Sequence, residues 1–273
     1  MMASDSEATP PRVFAPLLCV PQHVGIIMDG NGRWAAQHRL PRLAGHRAGV
    51  RNIRPIAEAC VEFGVKVLTI YAFSTENWGR PPEEVQGLLR LLTETVRAEA
   101  VTIMQNQIQL RLLGRLRGLP RATQAAVRRV IAMSRANDRL ILNVAFNYGG
   151  RAELVDAFKR MLRDGVHERD VSEELISRYL YTAGLPDVEL VIRTGGDHRV
   201  SNFLLWQAAY AEFYSTPTYW PEFTKADLYA ALAEFGRRQR RFGLVEPASV
   251  SPDPPRAHTT PRTAALSGPR GDR

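Results

Sequence analysis

Apolar residues follow two alternating patterns along the chain. Short runs without helical period, rich in β-branched residues, predict buried strands. They occupy residues 23–28, 65–72, 108–113, 139–146, 188–192 and, as a short last strand, 211–214. Between them, apolar residues spaced three or four apart predict helices. These lie at residues 43–64, 81–106, 120–136, 151–163, 172–180, 203–208 and 225–241.

The alternation of strands and helices predicts an α/β fold: a single domain with a mostly parallel, six-stranded sheet flanked by helices. Residues 1–20 are polar and contain prolines, and residues 247–273 are rich in Pro, Ser, Thr and Arg, so we expect both to be disordered. The folded domain is then residues 21–246. Because ligands of such sheets bind beyond the carboxyl ends of the strands, the loops after strands should carry the chemistry.

Charge and cysteine content narrow the class of protein only in part. The 273 residues carry a formal net charge of +8, which attracts phosphorylated small molecules, anionic lipid or nucleic acid without choosing among them. No apolar run reaches the ~18 residues needed to cross a bilayer, and the first residues lack the features of a signal peptide. Two cysteines are too few for a disulfide framework. We therefore expect a protein of the reducing cytoplasm.

The loop after the first strand, Asp29-Gly30-Asn31-Gly32-Arg33-Trp34, precedes a helix-compatible segment. A glycine-rich turn that leads into a helix N-terminus can bind phosphate, and the Asp29 carboxylate can hold a divalent cation. The glycines and Ala35 also fit a loose dinucleotide-binding fingerprint, but the acidic residue expected at the tip of the next strand is missing. The simpler alternative to a binding site is a strand-to-helix turn in which the glycines are needed only for the backbone conformation.

Three further segments combine charged and polar groups. Arg42 and His46 lie four residues apart and would share a helix face. Residues 73–80, after the second strand, are polar and aromatic and end in an arginine. Residues 193–202 place two arginines around Gly-Gly, with Ser201 just beyond, a combination that suits a diphosphate.

Each of these features can also be explained by structure alone. His46 could be an ordinary surface histidine, and Ser74 or Asn77 could be the N-cap of a helix. Residues 193–202 could be a run of charged residues that water solvates. Glu212, inside an aromatic stretch, needs a cation or an arginine as partner, which makes it a candidate second acid near a metal. Two anion sites beside an apolar core that could line a cavity suggest the joining of two lipid-like diphosphates.

The order of these segments resembles the cis-prenyltransferase family over residues 21 to about 245. The matching stretches are His23–Ala35, Gly45-His46, Phe73–Pro81, Asn147–Arg151, Arg193–Gly196 with Arg199–Gln207, and Arg240–Gly243. One departure is Asp197, where many members of the family carry Glu. The charge is kept on a shorter side chain.

The resemblance implies that Mg²⁺ assists the condensation of isopentenyl diphosphate onto an allylic diphosphate, farnesyl or geranyl diphosphate. The product would be a Z-polyprenyl diphosphate, the precursor of a lipid carrier for cell-wall glycans. The implied metal ligands are Asp29 and Glu212, and the implied catalytic residues are Asp29, Asn77, Ser74 and His46. The implied substrate-binding residues are Gly30, Asn31, Gly32, Arg33, Trp34, Arg42, His46, Ser74, Thr75, Glu76, Asn77, Trp78, Arg80, Arg193, Arg199, Val200 and Ser201.

The resemblance further implies a hydrophobic tunnel for the product and a homodimer in which Arg241-Phe242-Gly243 reaches the neighbouring subunit. It implies transient membrane contact through the lipid product and no nucleic-acid partner. Product length in the family depends on side chains that block the tunnel; Ala72 permits a long product, whereas Phe146 could shorten it. A short-chain (Z)-prenyl diphosphate synthase, a non-catalytic subunit and a nucleotide-dependent oxidoreductase are the alternatives.

Overall fold

All six predicted strands are present in the computed structural model, which describes residues 14–238. The strands are β1 (His23–Ile27), β2 (Val67–Ser74), β3 (Ile108–Leu113), β4 (Leu140–Tyr148), β5 (Leu190–Arg193) and β6 (Glu212–Ser215). They form one sheet in the order β3-β4-β2-β1-β5-β6, and every neighbouring pair is parallel. The predicted α/β fold with a six-stranded sheet is therefore confirmed.

Helices connect these strands within the described part of the chain. The α-helices are α1 (Asn31–Gln37), α2 (Arg42–Arg51), α3 (Ile53–Phe63), α4 (Pro82–Ala98), α5 (Ala100–Gln105), α6 (Arg121–Met133), α7 (Gly150–Arg163), α8 (Glu173–Tyr179) and α9 (Lys225–Arg237). Short 3₁₀ helices lie at Thr75–Gly79, Glu168–Asp170 and Trp220–Glu222. None of the described helices is long and apolar enough to span a bilayer.

Strand β1 shows how the sheet separates two apolar layers. Val24 and Ile26 belong to a large core that α3, α6 and α9 also supply. Ile27 belongs to a second cluster, and Gly25 leaves room there for Phe203, since an added Cβ would lie 3.1 Å from its ring. Successive residues of a strand point to opposite faces, so β1 is covered on both sides, as a parallel sheet requires.

Two of the predicted helices are each divided in the structure. Residues 43–64 form α2 and α3, which meet at Asn52. The Asn52 side chain donates hydrogen bonds to the carbonyl oxygens of Trp220 and Phe223, at 2.7 and 2.8 Å. Residues 81–106 form α4 and α5, which meet at Glu99. The spacing of apolar residues continues across both breaks, so the pattern does not reveal them.

The predicted helix at residues 203–208 is wrong, because this segment is a series of turns. Ser201, Asn202 and Leu204 have φ angles of 49°, 62° and 46°, in the left-handed region that a right-handed helix excludes. The apolar residues there serve packing instead: Phe203 and Leu204 are fully buried between the sheet and the turns.

Part of the N-terminal segment that was predicted to be disordered packs against the domain. The ring of Phe14 lies 5.4 Å from that of Phe63 and 4.8 Å from that of Tyr229, and Leu17 and Val20 contact the core. Residues 14–20 therefore differ from the prediction. The described residues do not include residues 1–13 or any residue after 238. The disorder of residues 1–13 and of the tail at 247–273, and the end of the domain at residue 246, therefore stay predictions.

Candidate active site

A polar cavity of about 630 Å³ lies at the carboxyl ends of β1, β2 and β5. The loops that follow these strands contribute to its lining, together with the first turns of α2. Of the residues singled out from the sequence, those in the lining are Asp29, Gly30, Asn31, Gly32, Arg42, His46, Ser74, Glu76, Asn77, Arg80, Arg193, Arg199 and Ser201. Segments separated by more than a hundred residues in the chain thus share one cavity.

The turn after β1 needs glycine for steric reasons. Gly30 has a φ of 99°, and a Cβ on it would lie 2.5 Å from the ring of Tyr219. Its backbone N–H donates a 2.6 Å hydrogen bond to Asp29 Oδ1. Across the cavity, a Cβ on Gly32 would lie 3.0 Å from the Arg42 guanidinium group. The glycines therefore let the backbone and the cationic side chains approach closely where an anion would bind.

Asp29 is held by Arg193 of the neighbouring strand β5. Arg193 donates a 2.7 Å hydrogen bond to Asp29 Oδ2 from a side chain that is only 4% exposed. A second arginine, Arg33, lies 3.3 Å from Asp29 Oδ1. Partial burial opposes ionisation of Asp29, but the hydrogen bonds and positive charges around it outweigh this effect and lower its pKa. Asp29 is therefore a carboxylate at neutral pH.

Asp197 is a second carboxylate in the cluster of arginines around Asp29. Its Oδ2 atom accepts a 2.8 Å hydrogen bond from Arg199 and lies 3.4 Å from Arg193 NH2 and 3.7 Å from Arg33 NH2. The two anion sites expected from the sequence are thus joined, since Arg33 of the first loop and Arg193 of the other share the same two carboxylates. Arg193 also donates to Ser201 Oγ at 2.8 Å and to the carbonyl oxygen of Arg199.

A second charged cluster is centred on Glu84 of α4. Its carboxylate accepts hydrogen bonds from Arg42 Nε at 3.2 Å and Arg80 NH1 at 3.0 Å, and it lies 3.3 Å from His46 Nε2. Burial lowers the pKa of His46, although the contact with Glu84 acts in the opposite direction. Partial burial raises the pKa of Glu84, but the charges of Arg42 and Arg80 outweigh it, so the net shift is downward. Glu84 is thus ionised and His46 neutral at pH 7.

Ser74 and Asn77 combine a structural role with a place in the polar cavity. Ser74 is the N-cap residue of the 3₁₀ helix Thr75–Gly79, and its backbone N–H donates to Asn77 Oδ1 at 3.0 Å. The capping explanation considered from the sequence is therefore confirmed. Both residues nevertheless line the cavity, so capping fixes the positions that they present to a ligand.

Several of the predicted substrate-binding residues contact other groups and lie outside the cavity lining. Trp34 Nε1 donates to Glu222 at 2.8 Å, and Trp78 Nε1 donates to Asn147 at 2.8 Å. The remaining residues of this kind are Arg33, which lies over the Tyr219 ring, Thr75, which donates to Glu76, and Val200, which is 41% exposed. Their roles toward a substrate stay predictions.

Glu212, which was predicted as a second metal ligand, lies apart from Asp29 within the described residues, and its role toward a metal stays a prediction. Glu212 is the first residue of β6 and lies opposite Leu190, three residues before Arg193 at the cavity end of β5. At about 3.3 Å per residue, it is roughly 10 Å below the edge where Asp29 lies. Its carboxylate accepts a 2.7 Å hydrogen bond from Arg238. The partner that a half-buried carboxylate needs is therefore an arginine.

A second cavity, of about 140 Å³ and mainly apolar, adjoins the polar one. It lies between the sheet and helices α3, α4 and α5, and Ala72 of β2 lines both cavities. Leu88 and Leu92 of α4 and Phe146 of β4 belong to its wall. An apolar chain attached to a polar head could therefore extend from one cavity into the other.

The polar cavity fits a magnesium ion that arrives together with a phosphate ligand. Among residues 14–238, no group of three or more His, Cys, Asp or Glu side chains is arranged to hold a metal ion. Mg²⁺ often uses only one or two carboxylates and completes its coordination with water and phosphate oxygens. Asp29, with a side chain that is 30% exposed and lines the cavity, can supply one such carboxylate.

The sequence of this chain was compared with models of known protein families. The sequence model of a family described as putative undecaprenyl diphosphate synthase matches residues 27–243. This chain belongs to that family. The match covers every loop of the polar cavity, and it confirms the resemblance to cis-prenyltransferases that was found in the sequence.

The relatives of this prenyltransferase extend over most of its length. An isoprenyl transferase of Heliobacterium mobile is 46% identical over 231 residues, which are 83% of this chain and 89% of the relative. The ditrans,polycis-undecaprenyl-diphosphate synthase of Pseudomonas aeruginosa, described as specific for (2E,6E)-farnesyl diphosphate, is 49% identical over 230 residues, 83% of this chain and 92% of the relative.

Solved structures of related prenyltransferases share the fold. Lavandulyl diphosphate synthase from Lavandula x intermedia, in complex with dimethylallyl diphosphate, matches with a TM-score of 0.79 and 35% identity. The match covers 82% of this chain and 98% of that one. A probable undecaprenyl diphosphate synthase from Campylobacter jejuni matches with a TM-score of 0.70 and 32% identity, over 82% of this chain and 98% of that one.

Two residues of the prenyltransferase site were missed in the sequence. Thr194 Oγ1 accepts from the backbone N–H of Asp29 at 2.9 Å and donates to the Asp29 carbonyl oxygen at 2.7 Å, so it braces the turn. Asn202 accepts from the backbone of Arg151 at 2.9 Å and donates to Glu76 at 2.8 Å, so it joins two loops. Each directly follows a residue that was singled out, but polar character alone did not distinguish it from its neighbours.

Proposed function

We propose that this prenyltransferase uses Mg²⁺ to condense isopentenyl diphosphate onto an allylic diphosphate, farnesyl or geranyl diphosphate. The product would be a Z-polyprenyl diphosphate, the precursor of a lipid carrier for cell-wall glycans. The observation that carries the proposal is that Asp29, Arg42, Arg193 and Ser201 line one cavity, which meets an apolar cavity at Ala72. Such a pair of cavities is complementary to diphosphate heads and an isoprenoid tail.

The two diphosphates are assigned to the two sides of the polar cavity. The allylic diphosphate would bind at the turn after β1, where the backbone of Gly30 to Gly32 and the guanidinium group of Arg42 approach closely. Isopentenyl diphosphate would bind at Arg193, Arg199 and Ser201. The planar guanidinium fork of arginine suits phosphate oxygens, and the burial of Arg193 keeps its fork in a fixed orientation.

The reaction requires charge stabilisation at the leaving group. The C–O bond of the allylic diphosphate breaks and pyrophosphate leaves, while the double bond of isopentenyl diphosphate forms the new C–C bond. Arginine side chains around the cavity would stabilise the negative charge that grows on pyrophosphate. Asp29 would hold Mg²⁺, which when bound acts as a Lewis acid toward the departing group.

A proton must then leave isopentenyl diphosphate to form the Z double bond. We assign this step to Asp29 and Asn77, with assistance from Ser74 and His46. The lowered pKa of Asp29 keeps it ionised, and the lowered pKa of His46 keeps it neutral at pH 7, so each can accept a proton.

We also propose a homodimer, in which the Arg241-Phe242-Gly243 segment reaches the neighbouring subunit. This segment lies outside the described residues. The enzyme would act in the cytoplasm and contact the membrane transiently through its lipid product. Light scattering after size-exclusion chromatography should give twice the chain mass of 30.6 kDa. A monomer at the concentrations used for the activity assay would contradict the dimer.

The reaction is tested by incubating the purified protein with farnesyl diphosphate, radiolabelled isopentenyl diphosphate and Mg²⁺. We expect elongated prenyl diphosphates, and we expect chelation of Mg²⁺ by EDTA to abolish them. Reversed-phase chromatography of the product separates long-chain synthesis from the short-chain alternative. Activity of the protein alone would exclude a non-catalytic subunit, whereas no incorporation by the folded protein would overturn the proposal.

A further inference from the structure

Positive charge is concentrated in one segment of the chain. Residues 100–137 contain seven arginines, no lysine and no acidic residue, and the whole chain has a formal net charge of +8. This segment therefore carries seven of the eight net charges, and the rest of the chain is close to neutral. It comprises α5, β3, α6 and the loops that join them. Its arginines are Arg111, Arg115, Arg117, Arg121, Arg128, Arg129 and Arg135.

The outer surface of α6 presents several of these arginines among small residues. Arg121, Arg128 and Arg129 are exposed on the helix, and Arg135 is exposed just after its end. The other exposed residues of α6 are three alanines and Met133. At a rise of 1.5 Å per residue, the helix is about 20 Å long. We call the surface formed by the four arginines and Met133 the α6 face.

The charges of the α6 face are not neutralised by the protein itself. Across residues 14–238, Arg115 alone among the seven arginines forms an ion pair, with Asp156 at 2.6 Å. Arg128 donates instead to the neutral side chain of Gln124, at 3.3 Å. Helix stability does not explain the pattern either. Arg121 is the first residue of α6, where the helix dipole repels a cation, and the first turn contains no acidic residue.

Helix α6 packs beside the helix that encloses the apolar cavity. Val127 and Val130 of α6 belong to the large core. The hydroxyl groups of Thr123 in α6 and Thr93 in α4 share a hydrogen bond of 2.7 Å. Helix α4 in turn supplies several leucine side chains to the wall of the apolar cavity. The α6 face is therefore only one helix away from the cavity that is assigned to the prenyl tail.

We propose that the α6 face docks this enzyme onto an anionic lipid bilayer, where lipid phosphates pair with its arginines. Arginine binds phosphate oxygens through its planar fork, and its apolar stem can lie along the headgroup region, as can Met133. Phosphates near Arg121 would also offset the repulsion at the start of the helix. The choice of a bilayer over another polyanion rests on the proposed function, because the product would carry a long apolar tail.

Sedimentation with lipid vesicles tests the docking without any catalytic step. The full-length protein should bind vesicles of equal parts phosphatidylcholine and phosphatidylglycerol, but not vesicles of phosphatidylcholine alone. An arginine near an anionic surface strengthens binding roughly fivefold, so Arg128→Gln with Arg129→Gln should bind at least about tenfold more weakly. Added salt should weaken the binding of the original protein, because ions screen these contacts.

Lys159 and Arg163 of α7 provide a matched control. Both are exposed, but α7 also contains Asp156 and is followed by Asp164, so its charge is more nearly balanced. Lys159→Gln with Arg163→Gln removes the same amount of charge from the protein and should leave vesicle binding almost unchanged. Thermal unfolding shows whether each variant is folded. Arg121→Gln with Arg135→Gln is a second pair on the α6 face, which tests the docking if the first pair fails to fold.

The outcomes separate the docking from the proposed function. Prenyl transfer without vesicles should be equal in the original protein and the α6 variants, because no arginine of the α6 face lines the polar or the apolar cavity. Failure of the original protein to elongate farnesyl diphosphate, with vesicle binding intact, would overturn the proposed function and leave the docking in place.

Three results would overturn the docking. The original protein could fail to bind the anionic vesicles, or the α6 and α7 variants could lose binding equally. In the third case the protein would bind a DNA duplex through the α6 arginines but would not bind the vesicles, which would assign the α6 face to nucleic acid. Selective loss of vesicle binding in the α6 variants is the result that supports the docking.

Discussion

Two carboxylates near the polar cavity, Asp29 and Glu84, are each surrounded by arginines but are held in different ways. Asp29 is hydrogen-bonded by Arg193, whose side chain is 4% exposed. Glu84 is bound by Arg42 and Arg80, whose side chains are 62% and 33% exposed. One cluster therefore depends on a buried guanidinium group and the other on groups that are in contact with water.

The difference follows from the elements that carry the residues. Arg193 ends β5, which pairs with β1 so that Ile27 lies opposite Arg193, and Asp29 follows two residues later. Two paired strands fix this cluster before any ligand binds. Glu84, Arg42 and Arg80 come from α4, α2 and the end of a 3₁₀ helix, and these elements are joined by side-chain contacts and not by strand pairing. We expect the Asp29 cluster to be preorganised and the Glu84 cluster to act as a latch that holds these three elements together.

Asp29→Asn should have the largest effect, because the side chain keeps its shape but loses the negative charge that would hold Mg²⁺ at the leaving group. We expect kcat to fall by on the order of 10²–10³-fold, as for the loss of a major electrostatic contact in the transition state. Steady-state assays at saturating concentrations of both substrates measure this fall, with circular dichroism to verify the fold. Turnover near that of the original protein would remove Asp29 from the mechanism.

Arg193→Lys should have the next largest effect, because lysine keeps the charge but loses the guanidinium fork. A hydrogen bond to a charged group contributes about 1.5–3 kcal/mol, so we expect the KM for isopentenyl diphosphate to rise roughly 10- to 100-fold. The matched control is Arg199→Lys, at a side chain that is 64% exposed, where the rise should be smaller. Equal effects would show that burial of Arg193 does not matter for binding.

Glu84→Gln tests the latch and should have a smaller effect. Glu84 itself is 11% exposed, but water reaches both of its arginine partners, and such ion pairs contribute about 0–1 kcal/mol each. We therefore expect the KM for the allylic substrate to rise no more than about fivefold, with kcat almost unchanged. In a double-mutant cycle with Arg42→Gln the two changes should not add, because they remove the same pair. A loss of kcat as large as in Asp29→Asn would abolish the distinction between the clusters.

Titration of His46 is the most sensitive test of the latch. Burial lowers its pKa below the ordinary value of 6.5, while Glu84 raises it, so Glu84→Gln should lower the pKa further. Folded protein thus binds this proton less readily than unfolded protein, and the free energy of unfolding should fall as the pH drops from 6.5 toward the lowered pKa. NMR of labelled histidine, assigned with His46→Gln, measures the shift. A pKa at or above 6.5 would contradict it.

Local patterns were sufficient for the strands and for the place of the site. Strands β1, β2 and β5 are short, mostly buried apolar runs, and a strand buried on both faces has this pattern in the sequence whatever its neighbours are. Because parallel strands bring their carboxyl ends to one edge, the loops with Asp29, Ser74 and Arg193 could be placed together without knowledge of strand order. The breaks at Asn52 and Glu99 could not be predicted, since apolar spacing continues through them.

Position along neighbouring strands depends on contacts that no local pattern encodes. Glu212 was expected near the metal, and only the register of β6 against β5 shows that it lies opposite Leu190, three residues before the cavity end of β5. Asp29 and Arg193 are 164 residues apart in the chain, and only the pairing of β1 with β5 makes them partners. The spacing of side chains thus establishes the kind of element that most segments form, although not the turns at residues 203–208, and the order of the motifs indicates the family. Strand order and register, which arise from packing the whole core at once, establish which charged groups meet.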